Sequence, residues 1–131
     1  MKAIFKIGDV KKHLFQVAAE DFASFQTGLV HKVCSTFALG REMEWASRQF
    51  VREMIDKHEE GVGTLLEIRH LSPAFLGEHV EVIAEIESII ENELICTIRV
   101  KAGNRQIASG RTGQKILSKI KINQIFTSLE R

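Results

Sequence analysis

Glu44 is the residue whose place in the pattern most needs an explanation. Plotted at 100° per residue, Thr36 to His58 reads as one helix. Its broad apolar side carries Phe37, Leu39, Met43, Ala46, Phe50, Val51, Met54 and Ile55, and its opposite side Arg41, Glu42, Arg48, Gln49, Arg52 and Glu53. Glu44 falls on the apolar flank, between Phe37, Gly40 and Val51. A carboxylate held there is desolvated, which strengthens it as a base and makes it costly without a use or a partner. Gly40, one turn earlier, gives up about 1 kcal/mol of helix propensity against alanine and leaves room for a backbone or a ligand. An ion pair with Arg41 or Arg48 would account for Glu44 equally well.

Other chemistry-bearing residues have ordinary readings beside their functional ones. His70 ends a strand, where a lone histidine is by default structural. Thr36 stands where a helix is capped. Cys34, near the same helix start, would be a nucleophile if its thiol were acidified there, but only His31 lies near it in sequence, so a small buried hydrophobe is the simpler reading. Cys96 alternates with Leu94 and Ile98 as a core residue. Glu81, Glu85 and Glu87 repeat every second residue or so along one strand, as a solvated face does, and no metal-ligand spacing rises above that.

These residues need a scaffold, and the periodicity supplies one. Ser35 or Thr36 caps the helix start, and Lys57-His58 before Gly61 suits its end. Beyond it the period changes to two: strands are expected over Val62–Leu71, His79–Glu91, Leu94–Val100 and Arg105–Leu117, with turns at Glu91-Asn92-Glu93 and Gly103-Asn104. One more strand is expected near Val10–Val17. Short connections favour an antiparallel sheet, and the only cover for its apolar face is the long helix. The expected fold is α+β, a curved sheet of about five strands wrapped around one helix, in one domain spanning residues 1–131. Ile83, Ile89 and Ile95 on the other face and the edges hint at a dimer.

Composition narrows the partners. Hydrophobic residues make up 44% and charged residues 27% of the chain, ordinary for a soluble domain. A net charge of +1 gives no field that would recruit nucleic acid or a membrane. No apolar run reaches transmembrane length, and the apolar part of the N-terminus is too short for a signal peptide. Two cysteines far apart, without CxxC spacing, read as reduced thiols in the cytoplasm.

Four segments resemble a known family. Val33-Cys34-Ser35-Thr36-Phe37, Met43-Glu44-Trp45-Ala46, Gly61-Val62-Gly63-Thr64 and His70-Leu71-Ser72-Pro73-Ala74 are similar to the fluoroacetyl-CoA thioesterases, a family of hotdog-fold proteins. Ile7-Gly8-Asp9 and Phe15-Gln16-Val17 look like that family's opening strand, and the likeness weakens after about Val100. The resemblance implies a catalytic set of Thr36, Glu44 and His70, with both spacings kept. It implies that Glu44 attacks the thioester carbonyl or activates water, that His70 shuttles the proton and that Thr36 orients substrate or carboxylate. The Gly63 N–H is the candidate oxyanion donor, since glycine permits close approach. Thr36 and Glu44 lie about 12 Å apart along a helix axis, so either Thr36 precedes the helix on a folded-back loop or, as preferred, the site is completed across a dimer, or a dimer of dimers. Arg111 and Lys115, with Lys119 and Lys121, are candidates for holding coenzyme A phosphates on charge alone. No metal or cofactor is expected. The segment between Val17 and Val33 is shorter than in the fluoroacetate enzyme, where aromatic residues help gate the acyl pocket, so selectivity for a fluorinated acyl group does not follow.

Three rivals remain. An acyl-CoA hydratase of the same fold would carry an aspartate and a histidine close together in one loop-helix segment, and no such pair is present. A non-catalytic acyl-CoA-binding module would bind thioesters without releasing thiol. A structural dimerisation domain would do neither.

Overall fold

In the computed structural model, which describes residues 1–130, the period-2 stretches pair through their hairpins into one antiparallel sheet. Its strands are β1 (Val10–Gln16), β4 (Glu59–His70), β5 (His79–Ile90), β6 (Glu93–Ala102) and β7 (Arg105–Ser118). They lie side by side in the order β1-β5-β6-β7-β4, so β1 and β4 are edges. The expected turns are present: Glu91 at φ 56° and Gly103 at φ 59° make the reversals, conformations that tight hairpins require. The helix α1 (Thr36–Met54) covers one face. This is the hotdog arrangement.

The helix packs where its stripe demands. Leu39, Met43, Ala46, Phe50, Val51 and Met54 are buried against Val82, Ile86, Ile98, Val100 and Ile107. Gly110 of β7 has no side chain because Met43 and the Glu67 carbonyl occupy the space a Cβ would need. Phe5 stands edge-on to Phe50, with centroids 5.0 Å apart. Among the described residues, no helix is long and apolar enough to cross a membrane.

Several local expectations are corrected. The helix ends at Met54 rather than His58. Asp56 accepts the His58 N–H at 3.0 Å through its side chain and the Glu59 N–H at 3.1 Å through its carbonyl, a local turn that competes with further helix. The strand β4 therefore starts at Glu59, before Val62. A hairpin of β2 (Phe22–Phe25) and β3 (Gly28–Cys34), and a final helix α2 (Lys119–Leu129), were not expected. Ile83 is 4% exposed and Ile89 packs against the core, so neither offers a patch to a partner. Exposed apolar surface lies instead at Phe25, Phe37 and Leu66.

Replacing Phe50 by alanine leaves a cavity under the helix and should cost about 3–5 kcal/mol. Urea unfolding followed by circular dichroism measures it. A loss below about 1 kcal/mol would mean that α1 is not anchored there.

Candidate active site

Helix capping frees the first candidate side chain. Ser35, not Thr36, caps α1, its Oγ accepting the Ala38 N–H at 3.0 Å. Thr36 is thus the first helical residue, and its hydroxyl is available to another group. That group is His70, at the end of β4: Thr36 Oγ1 and His70 Nε2 are 2.8 Å apart, a hydrogen bond whose direction follows the imidazole tautomer. On β4, Leu66, Ile68 and His70 share the helix-facing side, as the period of two requires. The strand end is fixed by the Leu71 N–H donating to the Ile107 carbonyl at 2.9 Å.

Both side chains open into a cleft of about 360 Å³. The β2–β3 hairpin (Ala23, Val33, Cys34), the start of α1 (Leu39) and the loop after β4 (Leu71, Ala74) wall it. The hairpin is held to the helix by a buried carboxylate. Asp21 accepts the Ala18 N–H and, at 2.9 Å, an Arg41 N–H, and its own carbonyl takes the Ser35 N–H at 2.7 Å. Arg41 is consequently held above its ordinary pKa, chiefly by its hydrogen bond to Asp21.

Glu44 is not brought to this cleft within one chain. It lines a separate surface depression with His13, Arg41, Glu42, Trp45 and Arg48. The expectation of a desolvated carboxylate is corrected for the single chain, in which Glu44 is exposed. The reason is its flank. A Cβ on Gly40 would lie 3.2 Å from Leu66 and 3.3 Å from Ile68, and Gly61 packs beneath Val51 and Arg48. Glu44 follows Gly40 by one turn on the helix flank where Gly40 and Val51 meet β4, and no further strand lies beyond β4. The room beside Gly40 is filled by β4 itself. Neither expected ion pair forms: Arg41 goes to Asp21 and Glu42, and Arg48 to Glu60.

A family model describing the fluoroacetyl-CoA-specific thioesterase matches residues 17–120. The chain belongs to this family. It is therefore among the thioester hydrolases, as the resemblance of its segments implied. A Thermus thermophilus hypothetical protein of the thioesterase superfamily is 31% identical over 95% of this chain and 92% of that chain, with a TM-score of 0.90. A variant of the fluoroacetyl-CoA-specific thioesterase in complex with fluoroacetate and CoA is 22% identical, covering 90% of this chain and 99% of that chain, with a TM-score of 0.83. A hot-dog-like protein from Thermanaerovibrio acidaminovorans is 16% identical over 97% of this chain and 95% of that chain, with a TM-score of 0.85. No curated protein matches at a significant level.

The remaining candidates of this family member fall in different places. Gly63 lies on β4, opposite Gln114, beside a register irregularity before Leu65. Seven residues of strand, roughly 23 Å, separate it from His70 of the same chain. Arg111 and Lys115, the candidate phosphate holders, do not open into this cleft. Thr112, Gln114 and Ile116 of β7 are buried toward the helix, so the alternating Arg111 and Lys115 point from the far face. Arg111 is also engaged twice by Glu87, at 3.1 and 2.7 Å, which holds the Glu87 carboxyl below its ordinary pKa. A half-buried pair went unnoticed in the sequence: His13 Nε2 and Glu42 Oε2, 2.9 Å apart, tie β1 to α1. No local pattern links residues 29 apart.

Cys34 lines the cleft but is no nucleophile. Burial pushes its thiol up to about 11, and that of Cys96 to about 12. At neutral pH only about one Cys34 in ten thousand would be thiolate, far too few for covalent catalysis. Ellman's reagent at pH 8 should label neither cysteine in the folded protein and both in denaturant. Fast labelling of the native protein would contradict that burial.

Proposed function

We propose that this chain is an acyl-CoA thioesterase whose site is assembled from two copies. Thr36 and His70 come from one copy, Glu44 and the Gly63 N–H from the other. The observation that carries the reading is the Thr36–His70 hydrogen bond at the mouth of the cleft, formed while Glu44 is exposed on the helix flank that packs on β4, an uncovered edge strand. Family membership supplies the reaction class, and the relative holding fluoroacetate and CoA supplies the carrier.

The edge explains how the halves would meet. The outer N–H and C=O groups of β4 have no strand beside them, and an edge 12 residues long invites another strand. In antiparallel pairing with a second β4, a register that sets His70 opposite Gly63 of the partner subunit centres the twofold between Leu66 and Glu67. It would bring Glu44 of one chain toward the partner's His70. It would also cover Leu66, now 43% exposed, and exclude water from Glu44.

In that assembly Glu44 takes the proton of an attacking water, or attacks the thioester carbonyl itself to form a mixed anhydride that water then hydrolyses. His70, fixed by Thr36, passes a proton to the departing thiolate. The Gly63 N–H, aided by the positive end of α1, receives the oxyanion. Products are the free acid and coenzyme A. Free, buried Cys34 and Cys96 suit a reducing compartment such as the cytoplasm.

Thiol release from acyl-CoA by the purified protein tests the proposal. Glu44→Ala and His70→Ala should each lower kcat/KM by about 10²–10⁴-fold with unchanged thermal unfolding. If either variant turns over as fast as the parent, the assignment of that residue fails. Saturable binding without thiol release would instead mark a binding module.

A further inference from the structure

The cleft beside Thr36 and His70 has two serines on its walls, each bonded to the backbone. Ser35 Oγ caps α1 through the Ala38 N–H, and Ser72 Oγ donates to the Gln106 carbonyl at 2.7 Å. Cys34 carries a neutral thiol behind an apolar wall, 5% exposed. What faces the cavity otherwise is Ala23, Val33, Leu39, Leu71, Pro73 and Ala74. His31, at the exposed rim, is the one further polar side chain in the lining. Outside, Phe25 and Phe37 stand edge to face at 5.6 Å, 59% and 65% exposed, extending the apolar character beyond the hairpin tip.

From this we infer that the cleft is the acyl pocket and that it selects an unsubstituted alkyl acyl chain longer than acetyl. The inference rests on the proposed thioesterase reading for the position of the carbonyl, at the Thr36–His70 pair. A methylene entering the cleft leaves water for alkyl walls. A hydroxyl or carboxylate on the chain would lose its hydration against these walls, where the polar side chains beyond the reacting pair are Ser35 and Ser72, each bonded to the backbone, and His31 at the rim. A cavity of about 360 Å³ sits near the low end of the size range of ligand sites, which favours short and medium chains over long ones. Ala23 limits the pocket on the hairpin side, and a larger residue there would shorten the accepted chain.

Non-hydrolysable S-alkyl-CoA thioethers separate pocket chemistry from catalysis. Calorimetric affinities should tighten about fourfold for each methylene added from ethyl to hexyl, and a terminal hydroxyl should cancel the gain of its carbon. Ala23→Leu should lower the hexyl-to-ethyl affinity ratio at least about tenfold. Val33→Ala should move it the other way, an opposed pair that misfolding does not produce. Affinities independent of chain length, or hydroxylated chains bound as tightly as alkyl ones, would overturn the inference. Parallel thiol-release assays keep the two readings apart. Turnover without any chain-length dependence of affinity sinks the pocket and leaves the hydrolase, whereas chain-length dependence without turnover supports the pocket and sinks the hydrolase.

Discussion

The proposed chemistry depends on the outer edge of β4, which no strand of the same chain covers. Every other long strand of the sheet except β1 has neighbours on both sides, and β1 is only 7 residues long against 12 for β4. Glu44 is exposed on the helix flank that packs on β4, Leu66 is exposed on the strand itself, and His70 terminates it. A carboxylate in open water is a poor base for thioester cleavage, and an exposed imidazole alone is little better. Covering the edge with a second β4 would desolvate the one and bring the other to it. The pairing would also satisfy a row of backbone groups and bury apolar side chains, each contributing about 1.5–3 kcal/mol. Stability and catalysis would then arise from the same contact.

The division of labour follows from helix and strand geometry. A single helix cannot place residues 36 and 44 against one carbonyl, because eight residues at 1.5 Å each keep them about 12 Å apart. A single strand cannot place residues 63 and 70 together, for the same reason at a longer rise. In the proposed assembly each chain would thus carry two half-sites along β4. The close approach of α1 to the sheet at Gly40 and Gly110 fixes both halves to the same rigid frame.

Much of this was legible in the sequence. The change from a 3.6 to a 2.0 period after residue 58 located the helix and four strands, since each element buries one continuous face. Spacing alone distinguished neither cap at the start of α1, and the choice of Ser35 is what released Thr36 for His70. The hairpin β2–β3 escaped notice because Gly28–Cys34 is mostly exposed and lacks an apolar alternation. The helix α2 escaped because it buries no residue fully against the core. Glu44 stood out by its flank, but in the single chain that flank leaves it exposed rather than desolvated. A wheel gives direction and not what lies there. Arg111 and Lys115 were chosen by charge, which ignores the alternation that turns them away.

Mixing two inactive variants tests the shared site most directly. Glu44→Ala and His70→Ala chains, unfolded together in equal amounts and refolded, form mixed dimers in which one of the two sites regains both residues. A site built across the β4 edge predicts recovery of about a quarter of the parent thioesterase activity, with neither variant active alone. Mixed dimers that form, as shown by a tag on one chain, yet stay inactive would place Glu44 and His70 in the same chain's site and contradict the assembly.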